Sequence, residues 1–505
     1  MPAQVTTRAQ VNGYRFLLRR LHHALIRADS RMIHDPMRGQ MRALLTGVAT
    51  ALLIAGAAGI LAFFKPVPDF GNSSIMLSES DGALYVRIGE RLHPALNLAS
   101  ARLAVGRNET PGRVDRRFLD TVARGPALGI IGAPNAIHSG EDPNSSAWAV
   151  CDSTVTPPVT TTVGAAFVST TVLASNPALS PDIRPAGTGQ ALLVRFGDAT
   201  YLLYDGVRAP IDPSDPVLAA ALHSEGVEPR EISVGLLNAF PLVAPIRPIR
   251  IDGIGAATTY LGEEYPVGSL VSTTDSRGDQ LYVVLAQGLQ PVSALTADII
   301  RYGNPESAAG RTPATLSPAM LGRLPIVDVL EVGDYPSTTV EVVTAESAPV
   351  VCLFWERRVG DAAATTTVLL GNRLPLPSDA RPVQLAGADG GGPGVDAVYL
   401  KPGTGQYVQA VNPGSGPALG ELFYVSDVGL RYPVKDAATA AVLGLAGVRE
   451  SRDTPEHAQP APWPILSLLP PGPRLSREAA LIIHDGMAAD PAGAPVLTAG
   501  NTPPS

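Results

Sequence analysis

Between Arg42 and Lys65 the chain runs for 22 residues, Ala43 to Phe64, without one charged side chain. A helix rises about 1.5 Å per residue, so this stretch reaches about 33 Å and clears a hydrocarbon core of roughly 30 Å. The charge on its two sides differs in sign. Residues 1–42 hold Arg8, Arg15, Arg19, Arg20, Arg27, Arg31, Arg38 and Arg42 against Asp29 and Asp35, a balance of +6. The whole chain is −8, so the 463 residues that follow carry −14. Positive flanks stay in the cytoplasm. This predicts a single-pass membrane protein with a cytoplasmic N-terminus and a large remainder across the membrane. A cleaved signal peptide has a short basic region and about 7–15 apolar residues. The 42-residue leader and longer apolar run favour an uncleaved anchor over that reading and over a buried core helix.

Within the span Gly47, Ala51, Ala55 and Gly59 recur at every fourth position. Such a row lets another membrane helix approach closely, although a composition rich in glycine and alanine produces it too. In the leader, Val11, Tyr14, Leu17, Leu18, Leu21, Leu25 and Ala28 follow helical spacing, with Arg15, Arg19, His22 and Arg27 elsewhere around the helix. Three readings stand: a helix lying on the anionic inner leaflet, a face docking on a cytoplasmic partner, or a plain basic flank. Asp35-Pro36 reads as an N-cap followed by Pro at the first helical position. The adjacent His22 and His23 point to different sides of a helix and make no metal site.

In a chain that is 45% apolar with 5% aromatics, the remainder can bury more than one core. Its share of the 50 glycines and 48 prolines argues for short elements and many turns. Both cysteines, Cys151 and Cys352, lie beyond the membrane span. An even count in an exported region suggests one disulfide; two free thiols or a metal site are the alternatives, without a nearby histidine to support the latter. Trp148 and Trp355, three residues from either cysteine, are expected to pack around the pair.

A repeat runs through this region. Four times a tyrosine is followed nine positions later by a proline with a glycine between: Tyr85 and Pro94, Tyr201 and Pro210, Tyr282 and Pro291, Tyr424 and Pro433. The tyrosine runs read as strands. The proline ends a returning strand, and Asn97, Asp212, Ser293 or Asp436 then caps a helix. The expected organisation is a cytoplasmic leader (1–42), a transmembrane helix (43–64), and a repeat region (65–447). The repeats lie near 75–106, 190–246, 265–325 and 397–447, around a central part drawn from 107–189 and 326–396. Residues 448–505, rich in proline, are expected to form an extended strap and tail.

These residues carry a family resemblance. The chain resembles EccB, a membrane component of the type VII (ESX) secretion systems of mycobacteria and related actinobacteria. The match covers nearly the whole length. It rests on Val11-Asn-Gly-Tyr-Arg-Phe-Leu-Leu-Arg-Arg20, on the first repeat from Gly82 to Leu103, and on Arg124-Gly-Pro-Ala-Leu-Gly-Ile-Ile-Gly-Ala-Pro134. Trp148 to Asp152 and Leu468-Leu-Pro-Pro-Gly-Pro-Arg-Leu-Ser-Arg-Glu-Ala-Ala480 extend it. The resemblance implies an α+β fold: one transmembrane helix in the inner (cell) membrane, four small α/β repeats around a central β-rich domain in the periplasm, and a disulfide between the two cysteines. It also implies assembly with EccC, EccD, EccE and other copies of the chain into a hexameric inner-membrane complex, with the MycP protease alongside. The clients of such a machine are small helical proteins of the WXG100, PE and PPE kinds.

Members of this family are sometimes labelled ATPases. A P-loop needs a lysine directly after a glycine, and the three lysines follow Phe64, Leu400 and Val434. Gly253-Ile-Gly255 and Gly187-Thr-Gly189 complete no dinucleotide fingerprint and read as turns. G-x-S-x-G and H-E-x-x-H are both missing from the sequence, and a region of −14 does not suggest nucleic acid. The expectation is a structural secretion subunit without catalytic, cofactor or metal residues. The alternative is an ATP hydrolase using a non-Walker site, with ATP as its only cofactor.

Overall fold

The computed structural model describes residues 7–31, 36–64, 73–114, 119, 121–140, 142, 144–155, 167–275, 278–305, 308–358, 360–388, 394–412, 420–445 and 458–486. It divides into two compact units, Met1–Asn72 and Ser73–Ser505.

In the first unit a helix spans Arg8–Arg27. Thr7 and Gln10 form a reciprocal capping box at its start, and Ala28 turns left-handed at its end. Its apolar row of Val11, Tyr14, Leu17, Leu18, Leu21 and Leu25 is exposed. The second helix, Pro36–Phe64, opens on a proline, where a missing N–H costs nothing; the expected cap, Asp35, lies outside the described residues. Gly39–Ile60 is long and apolar enough to cross a bilayer. Gly47, Ala51, Ala55 and Gly59 lie exposed along it.

The second unit is mixed α/β. Each repeat has the same plan: three antiparallel strands, a helix, then a fourth strand returning parallel to the first, in the spatial order fourth, first, second, third. In repeat 1 these are Ile75–Ser78, Leu84–Ile88, Arg91–Pro94, the helix Leu98–Val105 and Gly112–Val114. Repeat 2 uses Gln190–Phe196, Ala199–Tyr204, Val207–Pro210, Pro216–Ala221 and Arg230–Glu231. Repeat 3 uses Leu270–Asp275, Gly278–Val284, Leu289–Val292, Ala294–Gly303 and Ala314–Thr315. Repeat 4 uses Gly405–Val411, Leu422–Ser426, Arg431–Val434, Ala437–Leu443 and Gln459–Pro462. Asn97, Ser293 and Asp436 cap the helices as expected. In repeat 2 the cap is Asp215, directly before Pro216; Asp212 instead accepts from Ser214 in the preceding turn.

The central domain is a seven-stranded sheet in the order Val383–Gln384, Ala397–Tyr399, Phe167–Leu173, Ser145–Val155, Val350–Arg358, Thr365–Gly371, Ile183–Pro185. Its strands therefore begin at 145 and 350, inside the ranges expected, and Ala397–Tyr399 belongs to it rather than to repeat 4. Cys151 and Cys352, directly opposite each other on the two middle strands, form a disulfide. Trp148 and Trp355 are also opposite each other. An odd spacing along a strand reverses the face, so the tryptophans do not surround the disulfide. They lie in the core on the other side of the sheet.

The packing follows an internal two-fold scheme. Leu192, Val194 and Leu203 of repeat 2 and Val408, Phe423 and Val425 of repeat 4 share one core with Trp148, Val351 and Trp355 of the central sheet. Repeat 3 then packs its helix on that of repeat 2 (Leu295 and Ile299 with Leu218 and Ala221). Repeat 1 does the same with repeat 4 (Ala99 and Leu103 with Ala440 and Leu443). Each half also lends a segment to the other. Glu341–Val342, leading into the second central hairpin, pairs with Gln190 and Ala191 of repeat 2. Ser139, leading towards the first hairpin, accepts the Gly405 N–H of repeat 4.

The proline-rich strap is more than a strap. Gln459–Pro462 is the fourth strand of repeat 4, Ile465 and Leu466 enter the main core, and Arg431 and Val434 bridge to Pro471 and Leu475. Beyond that the segment crosses to repeat 1, where Ile483–His484 pairs with Ala127–Leu128.

Candidate interaction surfaces and buried joints

The Tyr–Pro spacing corresponds to a cross-strand pair in three repeats. Tyr85 stands opposite Pro94, Tyr201 opposite Pro210 and Tyr282 opposite Pro291. Each tyrosine faces away from its repeat's helix. The fourth pair has the same spacing in another register: Pro433 stands opposite Phe423, and Tyr424 opposite Tyr432. The cause is the hairpin. Repeats 1 to 3 turn in two residues, whereas Ser426 and Leu430 close a three-residue turn through Gly429, at φ +86°. One residue of slip exchanges the faces. Tyr424 accordingly packs with the helix side of repeat 4, accepting the His138 N–H at 3.1 Å, while Phe423 enters the main core. Burial pushes the Tyr424 hydroxyl up to about 12.

A guanidinium confirms this equivalence. Arg208 lies 5.7 Å over the Tyr201 ring, and its counterpart Arg431, likewise two residues before the proline, lies 5.7 Å over Phe423. In repeat 1 the stacking arginine is Arg124, paired beside Leu92 on the far side of the third strand and 5.8 Å from Tyr85. Arg431 also sits 5.3 Å from Trp463, which is 41% exposed.

Sequence reading missed the polar joint where repeat 2 meets the central sheet. Asp152, 2% exposed, follows Cys151 on its strand. Its carboxylate accepts the Ser233 N–H at 2.7 Å, the Ser233 hydroxyl at 2.8 Å and the Thr170 hydroxyl at 3.0 Å. Ser233 in turn caps the helix Val234–Ala239. Burial raises the carboxyl to about 6, against the pull of these donors and of Arg230. Arg230, 8% exposed, donates to the carbonyls of Ala348 at 2.8 Å and Pro349 at 3.0 Å and to the Thr154 hydroxyl at 3.1 Å. Burial lowers it to about 10. An Asp directly after a strand cysteine was the one available hint.

Gly187-Thr-Gly-Gln190 recurs as Gly403-Thr-Gly-Gln406, and both copies open a repeat of the two-fold pair. The first alone reads as a turn; the second copy is the sign of internal duplication. A Cβ at Gly189 would meet the Thr339 carbonyl at 2.8 Å; one at Gly405 would meet Tyr424 of its own repeat first, at 2.5 Å, and then the His138 carbonyl at 2.8 Å, so both glycines leave room for the segment lent by the other half. Beside each copy opens a cleft: about 780 Å³ with Thr404, Gln406, Arg381 and Asp379, and about 530 Å³ with Gln190, Arg184 and Glu341. Among the described residues no His, Cys, Asp and Glu cluster could hold a metal ion. Lys435 pairs with Glu478 at 2.5 Å.

Comparison with known proteins adds the following. The family model described as "Type VII secretion system ESX-1, transport TM domain B" matches residues 3–489. The chain is 38% identical to ESX-3 secretion system ATPase EccB3 of Mycobacterium tuberculosis, over 96% of this chain and 90% of that protein. It is 35% identical to ESX-1 secretion system ATPase EccB1 of Mycolicibacterium smegmatis, over 97% of both. Its fold matches a chain in the intact ESX-5 inner membrane complex (composite C3 model) with a TM-score of 0.70, 32% identity and 99% of both chains covered. It also matches the EccB3 dimer from the ESX-3 core complex with a TM-score of 0.67 and 35% identity, over 81% of this chain and 100% of that one.

Proposed function

Because this chain belongs to the EccB family of type VII secretion proteins, we propose that it is a structural subunit of an ESX inner-membrane complex that supports protein export. The end-to-end match to a chain of the ESX-5 complex carries this reading, since it runs from the leader through the fourth repeat with 99% of both chains aligned. In this reading Pro36–Phe64 anchors the chain, with the arginine-rich leader inside. Ser73 onward builds the periplasmic part of the machine. The leader and the Gly47, Ala51, Ala55, Gly59 row meet EccC, EccD and EccE, and the repeats meet further copies of the chain in a hexamer, near MycP. Protease added to intact spheroplasts should accordingly cut the large unit and spare the leader.

Deletion of residues 1–42 should leave an inserted, folded protein that no longer co-purifies with its membrane partners after detergent extraction. Unchanged co-purification removes that role from the leader, and a full-length chain that extracts as a free monomer removes the subunit reading itself. The relatives' names keep ATP hydrolysis as the second reading. Turnover by the purified full-length chain that one point substitution abolishes would favour it.

A further inference from the structure

The two-fold scheme is broken at one joint. Where repeat 2 meets the central sheet, the capped helix Val234–Ala239 is held by the buried Asp152 carboxylate. Where repeat 4 meets it, the matching helix Trp463–Leu466 begins at Pro462 with no side-chain cap. The residue after Cys352, in the place of Asp152, is the buried Leu353. One arm of the molecule thus rests on a buried carboxylate, and the other on apolar packing and the Arg431 guanidinium, which lies over Trp463 and donates to the Leu469 carbonyl. We propose that Asp152 is a pH-operated latch: proton uptake there tightens repeat 2, and repeat 3 behind it, against the central sheet, while the repeat 4 arm does not respond.

The groups facing Asp152 set the sign. From its own hairpin comes the Thr170 hydroxyl, whose residue gives its N–H at 2.7 Å to the Asp396 carboxylate, just before the strand Ala397–Tyr399. From the partner strand comes apolar Val351. From repeat 2 come Ser233 and Arg230; Glu231 is engaged with Arg195 at 2.6 Å. Arg230 gives its guanidinium to two carbonyls and to Thr154, and among the described residues no cation bonds Asp152 directly. The ionised carboxylate is therefore compensated by three donors yet remains buried in an apolar seam, and that burial favours the neutral form. The joined state holds the proton up to about pH 6, whereas an opened joint returns Asp152 to an ordinary carboxyl near 3.9. The joined state therefore binds the proton more tightly. Its advantage grows as pH falls through about 6 and levels off near 4. Repeat 3 follows because its helix rests on that of repeat 2.

The experiment is hydrogen exchange on the full-length protein in detergent, with protection corrected for intrinsic rates, at pH 7.5 and 5.0. Amides of Val234–Ala239 should gain about tenfold in protection at the lower pH, while those of Trp463–Leu466 stay level. Asp152→Asn should abolish the difference. Should that variant not fold, Thr170→Val, which removes one donor from the carboxylate, should move the midpoint to higher pH. A pH response shared by both helices overturns the latch, as does its absence, a reversal of sign, or a response that Asp152→Asn retains or Thr170→Val leaves unmoved.

Discussion

Phe423 and Tyr424 are neighbours with opposite surroundings, and that contrast can be measured. Phe423 is buried in the core shared by repeat 4 and the central sheet, stacked 5.9 Å from Trp463. Phe423→Ala should destabilise residues 73–486 by about 3–5 kcal/mol in urea titration. Tyr424→Phe removes one hydroxyl acceptor and should cost about 1–3 kcal/mol, because the His138 N–H is left without its partner. The reverse order would mean that Tyr424 is the true counterpart of Tyr85, Tyr201 and Tyr282. Cys151→Ser or Cys352→Ser should cost about 2–5 kcal/mol, since the bond closes a separation of 201 residues; equal melting with and without reductant would contradict it. At this scale the sequence disclosed the cysteine pair and the tyrosines but not which way they faced. Facing depends on register, and register in repeat 4 turns on one extra hairpin residue that a nine-position spacing conceals. Asp152 was illegible for another reason: its three donors come from positions 170 and 233, distant along the chain.

Among elements, the strongly patterned ones were readable. The membrane helix, the tyrosine strands and three of four helix caps follow from apolar runs and from Asn, Ser and Asp before them. The fourth strand of each repeat was not. Arg230–Glu231 and Ala314–Thr315 are two residues long and show no period, and Gln459–Pro462 contains two prolines. Those prolines are tolerated because the strand lies at the edge of its sheet, where an outward N–H is dispensable. Proline richness therefore read as a strap where the chain supplies core. The portion that does act as a strap is 476–486. Its helix Arg477–Ala480 packs on Leu98–Val105, and Ile483–His484 completes a two-stranded sheet with Ala127–Leu128. Deleting residues 476–505 should raise hydrogen exchange across repeat 1 at least several-fold and leave repeats 2 and 3 unchanged. Uniform exchange across all four repeats, or none gained in repeat 1, would show that the helix pair with repeat 4 suffices.

For the whole molecule, anchor and repeat number were visible because each is a property of local composition. The arrangement was not, because it consists of exchanges between distant halves. Repeats 2 and 4 look inward to the central sheet, repeats 1 and 3 ride on their helices, and one copy of Gly-Thr-Gly-Gln begins each inward repeat. A search for that tetrapeptide would have revealed the duplication before the fold was known. The lent segments have a temporal consequence. A chain made from its N-terminus onward finishes repeat 2 before Glu341 and Val342 exist to flank it, and repeat 1 before Ile483 does. Neither early module is whole until much later residues arrive, so closure is withheld from every incomplete copy and only a finished polypeptide can seal itself.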